Sequence, residues 1–280
     1  EDLTVSLARL CVQEQGAKFE LGVTVTGFEE ERTTTSSSSG SSSDGSSRIV
    51  AIHTNRGTLR VPADVPVIVA AGSWTPIILR KLDLYVSLYP LKGYNLLMDF
   101  GNAAQTTTTK NSTKQGQQQQ QLPLPGVDEL PKRIVADSYM YTTRFFNTVR
   151  VATVGEFSGW DTTPSRDIEK DVRRQTKLFM PHLAKEMDSF GHVVCGLRPF
   201  VSDGLLIIGK TDAFSNLYVN AGPGFNGWKC ALGSAKVLAA AVTGDKNLMP
   251  ADFDSTVFAP GSRVQKSPIF CAVANTFASA

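Results

Sequence analysis

Arg198 sits in the run Gly196-Leu197-Arg198-Pro199, with apolar neighbours before it and a proline behind it. A charge so placed is costly unless something pairs with it. Its planar guanidinium fits a carboxylate through two parallel hydrogen bonds. Either an internal acid such as Asp203 or Glu156, or the carboxylate of a bound ligand, can be that partner. A second chemistry-bearing stretch, Gly222-Pro223-Gly224-Phe225-Asn226-Gly227, lies just downstream. It is a glycine turn between a strand-like run, Leu217 to Ala221, and a helical pattern opening at Trp228. Strand, turn and helix start together expose backbone N–H groups and a positive dipole end, which suits a negative or oxygen-rich ligand. Tight packing that needs small residues and binds nothing explains the same turn equally well.

The turn reads literally as G-x-G-x-x-G, yet its context departs from the first ADP-binding turn of a Rossmann unit. There the helix leads into a second parallel strand ending near a ribose-binding acid. Here it leads into Asp245-Lys246-Asn247-Leu248-Met249-Pro250, a loop. Other chemistries find little support. No Ser/His/Asp or paired-carboxylate arrangement stands out. Cys11, Cys195, Cys230 and Cys271, with three histidines, show no metal-ligand spacing. The thiols lie in apolar contexts and read as reduced, intracellular core residues. A net charge of +2, with scattered basic residues, argues against nucleic acid, and no run is long enough for an integral membrane segment.

The positioning elements follow from periodicity. Leu3, Leu7, Leu10 and Cys11 fall on one helical face closed by Gly16. Phe19 to Phe28 alternates as a strand, as do Ile49 to His53 and Leu59 to Val61. Residues 33–47 are almost wholly Ser, Thr and Gly, a solvated insertion at a hairpin tip, and Gln105 to Gln121 is a second low-complexity insert. Val67 to Ala71 reads as a strand buried on both faces, Trp74 and Pro76 open a short helix, and Val86 to Met98 is a long strand. Tyr139 to Phe146 and Val149 to Phe157 form an antiparallel pair. Pro164 starts a helix with Ile168, Val172, Gln175 and Phe179 on one face. Trp228, Ala231, Leu232, Ala235, Leu238 and Val242 keep the spacing of an amphipathic last helix, which Gly244 stops, with Trp228 at its start against the cofactor or the core.

As a set, the run from Gly196 to Pro199, Asp203-Gly204, Ile208-Gly209 and Asn220-Ala221-Gly222 through Trp228 resembles the C-terminal flavin-binding segment of the D-amino-acid oxidase-like FAD-dependent oxidoreductases. The D-amino-acid dehydrogenase branch is the nearest in pattern. Val67 to Trp74 is similar to the family's strand with a small-small-Gly ending, Tyr89 to Tyr94 to its Pro-x-Lys/Arg-Gly segment, and Val149 to Glu156 to a third family strand. The resemblance implies an α/β (α+β) fold: an FAD/NAD(P)-binding Rossmann-like domain, N-terminally truncated, with an inserted, mostly antiparallel substrate sheet. On this basis residues 1–86 and 196–260 belong to the FAD side, 87–195 to the substrate domain, and 261–280 to a tail; the ADP-binding unit is expected upstream.

The same resemblance implies noncovalent FAD, held near Val25, Ala70, Ala71, Gly72, Trp74, Lys92, Gly93, Gly209, Gly222, Gly224, Phe225, Asn226, Gly227 and Trp228. Cys195 stands one position out of register with the cysteine to which related amine oxidases attach their flavin. Arg198 becomes the substrate-carboxylate clamp, and Tyr139 and Tyr141 candidates to line the pocket, although strand packing accounts for the tyrosines as well. The substrate is then a small amino acid, the electron acceptor a quinone or oxygen, and the compartment cytoplasmic or mitochondrial. A glycine- or sarcosine-oxidase-like enzyme is the near alternative. A flavin-less, non-catalytic interaction protein is the alternative of a different class.

Overall fold

The computed structural model describes residues 2–32, 47–100, 135–136, 140–145 and 148–266. Helix α1 (Asp2–Gln15) is closed by Gly16 at a φ of 64°, a conformation glycine adopts without strain. β1 (Val25–Arg32), β2 (Ser47–Thr54) and β3 (Gly57–Arg60) make an antiparallel sheet in that order. β4 (Val67–Val69) runs into a 3-10 turn, Gly72–Trp74, and then α2 (Thr75–Arg80), with a proline in its first turn. β5 (Tyr85–Val86) and the long β6 (Leu88–Asp99) follow. Next come β7 (Val135–Ala136), β8 (Tyr141–Phe145), β9 (Thr148–Glu156), α3 (Arg166–Phe179), α4 (Ala184–Phe190) and β10 (Gly191–Val201). The described chain ends with β11 (Ile207–Lys210), β12 (Leu217–Ala221), α5 (Gly227–Thr243) and β13 (Val264–Gln265).

Two sheets matter for the site. A five-stranded antiparallel sheet has the order β10-β6-β9-β8-β7, and a three-stranded sheet has the order β11-β12-β4, with β12 and β4 parallel. Each has its own core. Leu79, Leu82, Phe214, Leu217 and Val219 are buried around the three-stranded sheet, whereas Tyr94, Leu96, Met98, Val151 and Met187 are buried between the five-stranded sheet and α3 and α4. β6 and β10 pair along their whole length, from Leu88↔Val201 to Met98↔Gly191, and serve both cores. The expected boundary between residues 195 and 196 therefore falls inside one continuous strand.

Several local expectations are corrected by packing. The first strand begins at Val25 rather than Phe19, because Gly22, at a φ of 68°, turns the chain first. Val86 to Met98 is two strands, β5 and β6. β4 buries Val67 and Val69 but leaves Ile68 45% exposed, as the edge strand of its sheet can. On α3, Val172 and Thr176 face inward and Phe179 is exposed. The leucines of α1 are exposed as well, and so is Cys11, while Cys195 and Cys230 are half-buried. α5 turns Cys230, Ser234 and Val237 toward β11 and β12, leaving Trp228 70% and Leu232 78% exposed. The helix is apolar on nearly every side, so spacing alone does not choose its face. The smaller side chains allow the closer approach to the sheet.

The serine-rich segment joins strands whose pairing runs from Val25↔Thr54 to Arg32↔Ser47, as an insertion at a hairpin should. Residues 33–46, the insert Gln105 to Gln121, Tyr139 and Cys271 themselves lie outside the described residues.

Asn216 ties the β1–β3 sheet to β12. Its Oδ1 accepts from the Ile49 amide, and its Nδ2 donates to the Ile49 carbonyl, each at 2.9 Å and buried. Asn216→Ala would strand both backbone groups, a loss of about 2–3 kcal/mol. We expect a lowered urea midpoint with an unchanged m-value.

Candidate functional site

Parallel pairing of β4 with β12 sets Leu217 beside Val67 and Val219 beside Val69, so the two strands end on the same side. Their continuations, Ala70-Ala71-Gly72-Ser73-Trp74 and Gly222-Pro223-Gly224-Phe225-Asn226, emerge next to each other. The crevice at the carboxyl ends of parallel strands is where open α/β sheets hold ligands. Both turns need glycine: Gly72, Gly222 and Gly224 have φ values of 55°, 78° and 50°. A side chain at Gly222 would also meet Val201 Cγ2 at 2.4 Å, which fits the close-packing reading of that position. Nothing lies within 4 Å of a Cβ built on Gly72. The result is a ledge poor in side chains, flanked by the exposed rings of Trp74, Phe225 and Trp228, with Gly227 opening α5 beside it. Ser73 Oγ and Thr75 Oγ1 in the first turn are buried and have no described partner, so the turn has hydrogen-bonding capacity to offer a polar group.

Arg198 reaches this ledge from β10. Its guanidinium packs over the Phe225 ring, 5.4 Å from the centroid. It also lies over Gly93, where a Cβ would stand 2.1 Å from Nη1. Gly93 is therefore bare so that the arginine can lie flat across β6. Both internal acids proposed as partners are engaged elsewhere. Asp203 meets Arg263 Nη1 at 3.3 Å, and Glu156 meets Lys92 Nζ at 2.8 Å. Among the described residues Arg198 makes no ion pair. Burial, and then the nearby charge of Arg150, push its pKa below the ordinary arginine value.

The five-stranded sheet separates two kinds of charge. Residues directly opposite on paired strands share a face. Arg198, opposite Leu91, shares its face with Gly93, Asn95 and, through Asn95↔Ala152↔Tyr141, with the exposed Tyr141. Lys92, Tyr94, Cys195 and Glu156 occupy the other face, toward α3 and α4. There the Lys92 side chain is only 3% exposed, and its Nζ donates to Glu156 Oε1 and, at 3.0 Å, to the Thr163 carbonyl. Tyr94 OH donates to the same carboxylate at 2.5 Å and accepts from the Ser165 amide at 3.1 Å. Gly93 thus stands at the ledge, whereas Lys92 points away from it.

The remaining candidates divide similarly. A Cβ on Gly209 would face Pro260 at 3.4 Å, and Val25 pairs with Thr54 in the β1–β3 sheet. Beyond Arg198 the rings of Phe225, Phe200, Phe157 and Tyr89 follow edge to face, at centroid separations of 6.1, 5.8 and 5.6 Å. They lead to a cleft of about 550 Å³ lined by Leu88, Tyr89, Phe157, Phe200 and Ser202. Sequence reasoning missed Arg150, Asn95 and this aromatic file. Arg150 carried one weak signal, a charge in an otherwise apolar, alternating strand. Among the described residues no group of His, Cys, Asp and Glu could hold a metal ion, and no helix is long and apolar enough to cross a membrane.

Comparison with known proteins decides the family. Residues 1–241 match the DAO family, described as FAD dependent oxidoreductase. The chain belongs to that family. It is 31% identical over 245 residues to a D-amino acid dehydrogenase of Neisseria meningitidis, covering 86% of this chain and 47% of the relative. It is 31% identical over 206 residues to a D-amino acid dehydrogenase of Vibrio atlanticus, covering 73% and 42%. The chain thus spans about half the length of the curated relatives it matches. Glycine oxidase from Geobacillus kaustophilus shares the fold at a TM-score of 0.64 and 19% identity, over 92% of this chain and 56% of that one. Iminodiacetate oxidase from Chelativorans sp. BNC1 does so at 0.63 and 21%, over 92% and 57%.

In this DAO-family chain the Lys92–Glu156 pair sets a pH window. Burial opposes the charge on Lys92, but hydrogen bonding to Glu156 and the fields of Tyr94, Glu156 and Asp161 outweigh it and raise its pKa above 10.5. Hydrogen bonds from Lys92 and then Tyr94 hold Glu156 below 4.5. Stability from the depressed carboxylate is present above its unfolded value of 4.5 and lost as pH falls through the folded one. Stability from the raised ammonium is present below its unfolded value of 10.5 and lost as pH rises through the folded one. Glu156→Gln leaves the buried Lys92 only its longer contact with Asp161, at 3.9 Å, and the Thr163 carbonyl, costing about 3 kcal/mol near neutrality. Urea unfolding across pH should show the wild-type advantage over this variant shrinking below pH 4.5.

Proposed function

We propose that this chain forms the ring-side and substrate-side parts of an FAD-dependent amino-acid dehydrogenase that oxidises the C–N bond of a D-amino acid. The observation that carries the reading is Arg198: a half-buried guanidinium, laid over a glycine at the ledge, with no acid among the described residues to neutralise it. An amino-acid carboxylate matches that group in charge and geometry. Names of relatives at about 30% identity support the substrate class, being those of D-amino acid dehydrogenases.

The ledge fits a flavin ring. It offers backbone at Ala70, Ala71, Gly72, Gly222 and Gly224, flat exposed aromatics, two unpartnered hydroxyls, and the start of a helix at Gly227. FAD bound there supplies a two-electron acceptor. The chain's residues bind and orient: Arg198 holds the acid end, Phe225 and Phe200 wall off water, and Tyr141 borders the open face. Loss of the Cα hydrogen with its electron pair from the neutral amine leaves a protonated imine, which water hydrolyses to a 2-oxo acid and ammonium. Noncovalent attachment is supported by Cys195, which lies with Tyr94 on the far face of the sheet. A quinone or oxygen as electron acceptor is told apart by reoxidation with each in turn.

An anaerobic screen of D-amino acids, glycine and sarcosine for bleaching of the flavin, on the full-length protein, tests the reading. Arg198→Ala should leave FAD bound and lower kcat/KM for D-amino acids roughly 100-fold or more. Unchanged bleaching would remove Arg198 from the mechanism. Gly93→Ala, which pushes the guanidinium off its seat, should raise KM about tenfold with little loss of flavin. An unaltered KM would show that the arginine's position over β6 is immaterial.

A further inference from the structure

Arg198 is not the only cation on the open face of the five-stranded sheet. Arg150 stands opposite Leu97 on β6, and its Nε donates to Asn95 Oδ1 at 2.8 Å, so the side chain leans back along the strand. Arg198 stands opposite Leu91, and its guanidinium lies over Gly93, so it leans the other way. The two arginines are rooted far apart but end over neighbouring same-face positions of β6, which a strand spaces about 7 Å apart. Among the described residues neither meets a carboxylate. Gly93 carries the Arg198 guanidinium itself, while opposite it on β10 nothing lies within 4 Å of a Cβ built on Gly196, so the face is open beside Arg198. Val194 and Ala152, opposite Asn95 on either side, add only small apolar walls. Arg150's charge is also felt at Arg198, where it disfavours the cation. Two guanidinium groups turned toward each other on one face of the sheet are stabilised by a ligand carrying an anion at each end.

We propose that the site selects amino acids with an anionic side chain, the α-carboxylate on Arg198 and the second carboxylate on Arg150. This rests on the reading of Arg198 as the carboxylate clamp and adds the substrate class. A neutral amino acid uses Arg198 alone and leaves Arg150 facing Asn95 and water.

The test compares isosteric pairs on the flavin-loaded full-length protein: D-aspartate against D-asparagine and D-glutamate against D-glutamine, by anaerobic flavin reduction. The acids should be preferred about tenfold or more in kcat/KM, and Arg150→Gln should collapse that ratio while Arg150→Lys restores much of it. A wild-type preference for the amides, or a ratio that Arg150→Gln leaves intact, overturns the proposal. Arg198→Ala separates the two levels. If it abolishes reduction by acids and amides alike, the clamp stands whatever Arg150 does; if it changes nothing, clamp and proposal fall together. Titration of the flavin absorbance with succinate and butyrate gives a readout without turnover. Succinate should bind tighter by about tenfold, and the margin should vanish in Arg150→Gln. Equal affinities in the wild type overturn the proposal even if no D-amino acid bleaches the flavin.

Discussion

The pairing of β6 with β10 is the constraint on which the rest depends. It runs unbroken from Leu88↔Val201 to Met98↔Gly191. At one end Leu88 and Val201 belong to the core around the parallel strands; further along, Tyr94, Leu96 and Met98 belong to the core under α3 and α4. Neither strand can shift register without dragging both cores, because a slip of one residue would exchange every inward side chain for an outward one. That rigidity holds Arg198 at a fixed height above the ends of β4 and β12. It also sets Gly93 against Gly196, two bare positions that leave room for a guanidinium to lie down.

The alternation of the same two strands sorts the charges. Lys92 and Glu156 are one residue out of phase with the open face, so they meet beneath the sheet, satisfy one another and Tyr94, and brace the loop that carries Thr163 and Ser165. That loop in turn reaches the turn after β4, where Trp160 Nε1 donates to the Ser73 carbonyl at 3.0 Å. On the open face no described residue gives Arg198 or Arg150 such an internal answer. A closed network below and two cations that meet no described carboxylate above are sorted to opposite faces by the pleat itself.

Much of this was legible from residue types. The glycine turn, the helix stop at Gly244 with its φ of 73°, the hairpin around the serine-rich insertion, and the pairing of the strands now labelled β8 and β9 all follow from local preferences that hold in almost any context. Arg198 stood out because a charge among apolar residues demands an explanation. What misled was burial. The leucines of α1, Phe179 of α3, and Trp228 and Leu232 of α5 keep helical spacing, yet they face outward. An apolar stripe states that a face can be buried, not what lies against it.

The sequence alone determined the elements, the mixed α/β class and the resemblance that the family match bears out, because turn chemistry and periodicity act over a few residues. Only the tertiary structure decided which acids were already taken. Asp203 belongs to Arg263 and Glu156 to Lys92, and neither pairing can be read from spacing, since each joins residues brought together by sheet pairing or by the return of the chain after α5. Arg150 emerged for the same reason. Its place beside Arg198 is a matter of strand register, and register is set by the two cores acting at once.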